Sequence, residues 1–167
     1  MMLSVHIEPS RPGLVESFRD CLDSVARERQ HLAFDQAPPL EEMRHFVADG
    51  LANGMVQYFA VSGQTVIGWC DIRPSPREVQ PHAGTLGMGI RTGFRGQGIG
   101  SRLIEWCLND AWPRGFTRIG LDVFSANLAA IALYEKFGFQ HEGIKRRGRL
   151  IDGVYDDVIV MGLLRNV

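Results

Sequence analysis

The sequence predicts an α/β (α+β) fold built on a mixed β-sheet, in which both antiparallel and parallel strands occur. Residues 55–72 form two β-rich runs around Ser62-Gly63, which is typical of an antiparallel hairpin. Within residues 86–123, an apolar run, a glycine-rich stretch, a segment with helical apolar spacing and a second apolar run follow one another. A crossover of this kind joins parallel strands. A final hairpin is indicated by Asp152-Gly153, a strong two-residue turn signal.

Periodicity and turn residues place the remaining elements. Ser10 can cap the first helix, whose first turn tolerates Pro12, and Gly138 fits the left-handed position that ends the last helix. Gly87 and Gly89 in the fourth strand indicate a bulge or the close approach of a ligand backbone. The polar side of the second helix is a solvated face or, alternatively, a lid over a bound substrate. The predicted strands cover residues 5–7, 55–61, 65–72, 85–90, 118–123, 139–149 and 154–164, and the predicted helices cover 10–25, 40–51, 101–111 and 128–137.

Length, composition and charge exclude several classes of protein. The chain has 167 residues, 45% of them hydrophobic, which is enough for one core and short for two ordinary domains. We therefore expect a single domain over residues 1–167. The formal net charge of −1, with both signs interspersed, argues against nonspecific nucleic-acid binding. No apolar run approaches the roughly 20 residues of a membrane span, so a small soluble substrate fits better than a nucleic-acid or membrane partner.

The cysteines and the first residues favour a cytoplasmic location. Cys21, Cys70 and Cys107 are scattered and show neither metal-ligand nor redox spacing, so no metal site is expected. The stretch from Met1 to His6 lacks the cationic start and long apolar run of a secretory signal. We expect a reducing cytoplasm, in which these thiols fill apolar sites.

The stretch from Arg95 to Gly100 joins a predicted strand to a predicted helix through three alternate glycines. Glycines without Cβ let main-chain N–H groups approach an anion closely, and the start of a helix adds unpaired N–H groups and the positive end of its dipole. The stretch therefore predicts an anion-binding loop, with Arg95 as a candidate for added positive charge. A glycine-rich structural turn is the alternative interpretation.

Spacing argues against two familiar phosphate-binding loops. A P-loop requires Lys after its second spaced glycine, but Ile99 follows Gly98. A dinucleotide fingerprint beginning at Gly96 requires glycine where Ser101 stands, and no ribose-binding acid follows about 20 residues further on. Nucleoside triphosphates and dinucleotides are therefore disfavoured as ligands.

The remaining pattern, Q/R-x-x-G-x-G/A, resembles the pyrophosphate-binding loop of the GNAT superfamily of acyl-CoA-dependent N-acetyltransferases. A second motif at Asn127–Phe139, Asn-Leu-Ala-Ala-Ile-Ala-Leu-Tyr-Glu-Lys-Phe-Gly-Phe, is similar to the N-x-x-A-x-x-x-Y-x-x-x-G-F helix of the same superfamily. The two motifs stand in the family's order, and the resemblance extends over about residues 55–164. The closing segment, 142–161, is similar to small-molecule members such as amino-acid, polyamine and phosphinothricin-type acetyltransferases.

This resemblance implies a GNAT fold, in which a mixed sheet of about seven strands contains a splayed parallel pair and is flanked by about four helices. It implies that acetyl-CoA is a co-substrate and that no metal is needed. Its pantetheine arm would lie along the strand near residues 88–90, and its phosphates on the glycine-rich loop. It also implies a homodimer, for which the apolar segment Val158–Leu164 offers a surface. The residues assigned to acetyl-CoA are Met88, Gly89, Ile90, Arg95, Gly96, Gln97, Gly98, Ile99, Gly100, Ser101, Asn127, Ala130 and Tyr134.

Acetyl transfer to an amine needs a neutral nucleophile, a polarised thioester carbonyl and a proton for the departing thiolate. Tyr134 matches the family's general acid, because a phenol with a pKa near 10 can donate as charge develops on sulfur. A half-buried core tyrosine is the alternative. Asn127 is the second catalytic candidate; it would order CoA or a water molecule, and it can also cap its helix.

The general base is the point at which the resemblance fails. Similar proteins often carry Glu where Thr85 stands, and a threonine hydroxyl cannot accept a proton near neutral pH. Substitutes that could act directly or through water are His82, Asp71, Glu41, Glu42 and Asp157. Each of these residues has an ordinary surface or strand role as its alternative.

We therefore predict a cytoplasmic N-acetyltransferase that moves the acetyl group of acetyl-CoA to a primary amine of a small molecule. Direct attack in a ternary complex is favoured over an acetyl-cysteine intermediate, because Cys70 and Cys107 have no activating partners nearby in sequence. Two alternatives remain open. Acetylation of a protein N-terminus or lysine would use an open groove between the second helix and the final hairpin, so a closed pocket would count against it. A non-catalytic acyl-CoA sensor would keep the loop and dispense with the base that Thr85 lacks.

Overall fold

The computed structural model describes residues 4–166. Met1–Leu3, on which the argument against a secretory signal partly rests, and Val167 lie outside the described residues. Over the described range the chain forms seven strands and four α-helices. In chain order they are β1 (Val5–Pro9), α1 (Val15–Ala26), α2 (Leu40–Ala52), β2 (Val56–Ser62), β3 (Thr65–Pro74), β4 (Ala83–Ile90), α3 (Ile99–Ala111), β5 (Arg118–Phe124), α4 (Leu128–Lys136), β6 (Gln140–Ile151) and β7 (Val154–Leu164).

These strands form one mixed sheet in the order β1-β2-β3-β4-β5-β7-β6. β4 and β5 are parallel, with α3 in the connection between them, and the other neighbours are antiparallel. The predicted fold class is therefore confirmed. β4 pairs with β3 without a register shift, so its glycines do not form a bulge there. Gly89 instead lies against the Trp69 ring, where an added Cβ would come within 2.3 Å of the indole.

The helices cover both faces of the sheet. One buried cluster joins α1 and α2 to the face of β3 that presents Val66 and Trp69. A second cluster joins α3 and Tyr134 of α4 to the opposite face, which presents Ile67, Cys70 and Ile72. Successive strand residues alternate between faces, except at the bulge opposite Ala60 and Val61, where Ile67 is an extra residue that shifts the alternation of β3. The position of a residue along β3 or β4 therefore decides which helix layer it meets.

The start of the first helix differs from the prediction. Helix α1 begins at Val15, after a single 3₁₀ turn over Pro12–Leu14, and Ser10 does not cap it. The Ser10 N–H donates to the Gln57 carbonyl, which keeps this residue in the β1–β2 pairing and away from the helix. Its hydroxyl is buried and has no hydrogen-bond partner among the described residues.

The final hairpin forms around Asp152-Gly153, as predicted, with positive φ at both residues (50° and 76°). Its second strand, β7, lies between β5 and β6 and is not at the edge of the sheet. Val158, Ile159 and Met161 are consequently buried within the chain. The apolar character of Val158–Leu164 is thus explained by an internal strand, so it no longer supports a dimer surface. The homodimer itself stays a prediction.

The three cysteines fill apolar sites, as the sequence predicts. All are free thiols with no exposed surface, and the Cys107 thiol lies 3.2 Å from the Cys70 carbonyl oxygen. Burial raises the pKa of the Cys21 thiol to about 12 and also raises that of Cys70. None of the helices described is long and apolar enough to cross a membrane.

Candidate active site

The parallel pair β4–β5 separates partway along its length. Residues 83–85 pair with residues 118–120, and the pairing between these two strands ends there. Both strands continue: β4 stays paired with β3 as far as Ile90, and β5 stays paired with β7 as far as Phe124. The β5-facing edge of residues 87–90 therefore meets no strand in the described chain. A ligand that adds as a strand could satisfy such backbone groups.

A cavity of about 560 Å³ occupies this separation. It is bounded by the second half of β4, the glycine-rich loop, the start of α3 and the inner side of α4. Of the residues predicted to bind acetyl-CoA, those that line the cavity are Met88, Gly89, Ile90, Arg95, Gly96, Gly98, Ile99, Gly100, Ser101, Asn127, Ala130 and Tyr134. Gln97 does not line it, because its side-chain amide turns back and donates to the Gly93 carbonyl at 3.1 Å.

The glycine-rich loop presents open backbone to this cavity. Gly96 and Gly98 have φ of 71° and 78°, and a Cβ at either position would meet nothing within 4 Å. Gly98 is the N-cap residue of α3, so the unpaired N–H groups of that helix begin at the loop. Gly100 has a different role: a Cβ there would come within 3.0 Å of the Leu133 side chain on α4. The loop therefore combines an open anion-binding geometry with close packing of α3 against α4.

Arg95 lines the cavity but does not carry a free charge. Its guanidinium donates to both carboxylate oxygens of Glu28, at 2.7 and 2.8 Å, and its Nε donates to the Ile90 carbonyl at 2.8 Å. Hydrogen bonding from Arg95 lowers the pKa of Glu28. The role of Arg95 in adding positive charge at the loop stays a prediction, and Glu28 is a competing partner that the sequence could not reveal because the two residues are 67 positions apart.

Tyr134 lies on the cavity side of α4 and is 7% exposed. Its ring packs against Phe139 at 5.8 Å between centroids, and its hydroxyl has no hydrogen bond to any described residue. Burial raises the pKa of this phenol above its ordinary value. The group therefore stays protonated across the range in which acceptor amines titrate.

Asn127 caps helix α4 and also lines the cavity. Its Oδ1 accepts a hydrogen bond from the Ala130 N–H at 3.3 Å, which is an N-cap contact. Its side-chain NH₂ donates to no described residue. The predicted capping role is therefore confirmed, while a role toward CoA or water stays a prediction.

The candidate bases are widely separated. Thr85 lines the cavity and is exposed, whereas His82, Glu41 and Glu42 are exposed and lie outside the lining. Glu41 and Glu42 thus belong to a solvated face of α2. Asp157 accepts a hydrogen bond from the Arg147 N–H at 2.7 Å and also stands outside the lining. The fifth candidate, Asp71, is buried on β3 as the cross-strand partner of Gly87, which lines the cavity.

Sequence reasoning missed several polar residues that line the cavity. Arg73 on β3 is the cross-strand partner of Thr85 on β4. Asp122 lies on β5, two residues after Gly120, and its Oδ2 accepts a hydrogen bond from Lys145 Nζ at 2.5 Å. His31 comes from the segment between α1 and α2, and burial lowers its pKa. Knowing the β3–β4 register would have placed Arg73 opposite Thr85, but hairpin patterns in the sequence do not fix the register to one residue.

The segment between α1 and α2 is bonded to the final hairpin across one side of the cavity. Arg29 pairs with Asp152 at the hairpin turn, with 2.9 Å between Nη2 and Oδ1. Arg149 donates to the carbonyls of Arg29 and Gln30, and its guanidinium stacks 4.3 Å from the centroid of Phe124, a cavity residue. These contacts bridge the segment between α1 and α2 to the final hairpin on this side of the cavity.

A parallel pair that opens beside a glycine-rich loop at the start of a helix is the arrangement that the resemblance to acyl-CoA-dependent N-acetyltransferases implies. Residues 16–139 match the Acetyltransferase (GNAT) family, and the chain belongs to this family. It is therefore an acyltransferase that uses acetyl-CoA as its donor.

Several known proteins are similar to this chain in sequence or fold. The L-amino acid N-acetyltransferase AaaT of Escherichia coli K12 is 32% identical over 116 residues, which cover 67% of this chain and 70% of the relative. The N-alpha-acetyltransferase RimI of Mycobacterium tuberculosis is 37% identical over 98 residues, 56% of this chain and 58% of its own. An acetyltransferase of the GNAT family from Streptococcus pneumoniae superposes with a TM-score of 0.90 at 27% identity, covering 97% of this chain and 100% of that chain. A phosphinothricin acetyltransferase from Sinorhizobium meliloti, solved with acetyl-CoA, shares the fold at 18% identity and a TM-score of 0.90, over 97% and 89% of the two chains.

Proposed function

We propose that the protein acetylates the primary amine of a small molecule, by direct attack of the amine on acetyl-CoA in a ternary complex. The observation that carries this proposal is the opening between β4 and β5, beside which the glycine-rich loop and the Tyr134 phenol both lie. Its volume of about 560 Å³ falls in the range of roughly 300–1,000 Å³ that is usual for small-ligand sites.

In this proposal the donor lies along the separated edge of β4. The pantetheine amides pair with the backbone of Met88–Ile90, and the diphosphate rests on the N–H groups of Gly96–Ser101. A backbone N–H near Met88 would face the thioester carbonyl and stabilise the oxyanion as it forms. The acetyl group then points toward Thr85, where the two strands meet.

Tyr134 is proposed as the group that protonates the leaving thiolate. Its buried phenol is protonated, so it can donate as charge develops on sulfur. A thiol with a pKa near 8.5 is more acidic than this phenol, so the phenolate left after donation is a stronger base than the thiolate. The phenolate must therefore regain a proton as the reaction proceeds. The amine nitrogen loses a proton when it becomes an amide, and that proton can return to the phenolate.

The preference for a small acceptor is supported by the contacts of Arg29 and Arg149, which bridge the segment after α1 to the final hairpin. A cavity bridged on this side suits an amino acid or polyamine better than an extended polypeptide. The likeness to RimI makes a protein N-terminus the second candidate acceptor. An acetyl-cysteine intermediate is disfavoured because Cys70 and Cys107 are both fully buried.

A comparative acceptor screen tests the proposal. Amino acids, polyamines and aminoglycosides are compared with N-terminal and lysine peptides, with CoA thiol release and product mass as paired measurements. We expect amine-dependent CoA release and a product heavier by one acetyl group with at least one small amine. Transfer to peptides alone would contradict the small-acceptor proposal. Tight acetyl-CoA binding without transfer to any amine would favour the alternative of a non-catalytic acyl-CoA sensor.

A further inference from the structure

Two polar side chains are buried together under the acceptor side of the cavity. Gln57 on β2 and Asp71 on β3 are 3% and 5% exposed, and they are direct cross-strand partners. Neither amide atom of Gln57 has a hydrogen-bond partner among the described residues, and Oδ1 of Asp71 has only an ion pair with Arg73, whose Nε lies 3.2 Å away. Buried polar groups are almost always satisfied, often by an internal water molecule. The unused hydrogen-bonding groups of Gln57 therefore favour an internal water molecule at this place, which is here called the pocket beside Asp71.

Gly87 separates this pocket from the cavity. Asp71 is the cross-strand partner of Gly87, which lines the cavity on the same face of the sheet as Thr85. The Asp71 Oδ1 is the nearest group to the place that a Gly87 side chain would occupy, 3.4 Å from an added Cβ. Because glycine has no Cβ, no side chain of residue 87 stands between the Asp71 carboxylate and the cavity, and this gap is the passage that a water route would use.

We propose that Asp71 accepts the proton of the acceptor ammonium, through a water molecule that stands beside Gly87. This inference rests on the proposed acetyl transfer and assigns the base that Thr85 cannot provide. The Asp71–Gly87 pair is the next pair on the same face of the sheet after Arg73–Thr85, so the carboxylate is close to the expected place of the amine.

The charges around Asp71 suit a base that works near neutral pH. Burial raises the pKa of this carboxyl to about 6, while the positive charge of Arg73, whose Nε lies 3.2 Å from Oδ1, acts in the opposite direction. Gln57 faces the carboxyl from β2 and also lowers its pKa, β4 offers Gly87, and the residues of α1 and α2 buried on this face are apolar. At pH 7 the carboxyl is mostly ionised, yet basic enough to take a proton.

The protons balance in the following sequence. The ammonium loses one proton through water to Asp71, and its freed lone pair forms the C–N bond. The C–S bond then breaks with its electron pair on sulfur, and the thiolate takes the Tyr134 proton. The nitrogen loses its second proton to the phenolate, and Asp71 releases its proton to solvent. The sum is ammonium plus acetyl-CoA giving amide, CoA thiol and one proton.

Two variants test separate parts of this inference. Asp71→Asn removes the base while keeping the shape of the side chain. Gly87→Ala keeps the carboxylate and blocks the passage, and its methyl group would make ordinary contacts of 3.4 and 3.7 Å. Gly143→Ala on β6 is the matched control, because an added Cβ there meets nothing within 4 Å.

The measurement is kcat/KM for a reactive small amine between pH 5 and 10, together with the acetyl-CoA Kd of each variant. Wild-type kcat/KM should rise as pH passes through about 6, and Asp71→Asn should lose that dependence. Removing a general base typically costs about 10²- to 10⁴-fold in rate. The Asp71→Asn defect should shrink toward pH 10, where the amine is already neutral, and Gly87→Ala should share the defect at pH 7. Acetyl-CoA affinity and the Gly143→Ala rate should be unchanged.

The outcomes separate this inference from the proposed function. An active wild-type protein whose Asp71→Asn variant keeps the rate and the pH dependence would overturn the inference alone. A normal rate in Gly87→Ala would also overturn the inference alone, because transfer would then not need a water molecule beside Gly87. A wild-type protein that transfers acetyl to no amine would overturn the proposed function and this inference with it.

Discussion

Replacing Asp71 with asparagine should stabilise the fold at neutral pH. Burial raises the pKa of this carboxyl from 3.8 to about 6, so the folded chain holds its proton more tightly than the unfolded chain. Wild-type stability therefore falls as pH rises from about 4 to about 6 and stays lower above that window. At about 1.36 kcal/mol for each unit of pKa difference, the ionised carboxylate costs the fold about 3 kcal/mol at pH 8. The asparagine side chain of the variant carries no charge and avoids this cost.

Urea denaturation at pH 4, 5, 6, 7 and 8 measures the effect as a difference between variant and wild type. The difference in unfolding free energy should grow with pH and level off above pH 6. Asn53→Ala is a useful control, because it removes a 2.7 Å hydrogen bond from the Asn53 side chain to the Asp49 carbonyl and no titratable group. It should cost about 1 kcal/mol at every pH. A difference for Asp71→Asn that does not vary with pH would refute the reasoning.

Three further predictions concern the cofactor loop and the assembly. Gly98→Val should abolish acetyl-CoA binding in calorimetry, because it fills open backbone at φ 78°, whereas Gly115→Val, equally open at φ 98°, should carry similar strain and bind normally. Unchanged affinity of a folded Gly98→Val variant would remove the loop from the site. Glu28→Gln should tighten acetyl-CoA binding roughly 3-fold, because the diphosphate then competes with a neutral partner for Arg95; weaker binding would instead make Glu28 a support for Arg95. Light scattering should give twice the 18.6 kDa chain mass, and a monomer at micromolar concentration would contradict the predicted homodimer.

Local chemistry explains why much of the fold could be predicted. The left-handed conformation of Gly138, with φ of 93°, and the capping contact of Asn127 each depend on a few consecutive residues, so motif and spacing were sufficient to predict them. The hairpin at Asp152-Gly153 is equally local. The crossover through α3 follows from the order of strand, loop and helix, and the parallel pairing of β4 with β5 follows from that crossover.

Contacts between distant segments could not be predicted in the same way. The pairing of Arg95 with Glu28 joins the glycine-rich loop to the segment after α1, and no local pattern marks it. The place of Asp71 beside Gly87 depends on the β3–β4 register, and a slip of one residue would turn its side chain to the other face. The position of β7 between β5 and β6 could not be predicted either, and it explains the apolar residues of β7 by burial inside the sheet.

The most direct test of acetyl transfer assisted by Tyr134 is the single-turnover rate of the Tyr134→Phe variant with a reactive small amine. Phenylalanine keeps the packing against Phe139, so folding and acetyl-CoA affinity should change little. Loss of the hydroxyl should slow transfer by about 10²- to 10⁴-fold, or roughly 3 to 5 kcal/mol in the barrier. The loss should appear in kcat, because the proton is needed only as thiolate charge develops. A folded Tyr134→Phe variant that transfers acetyl at the wild-type rate would contradict the proposed mechanism and leave Tyr134 as a packing residue.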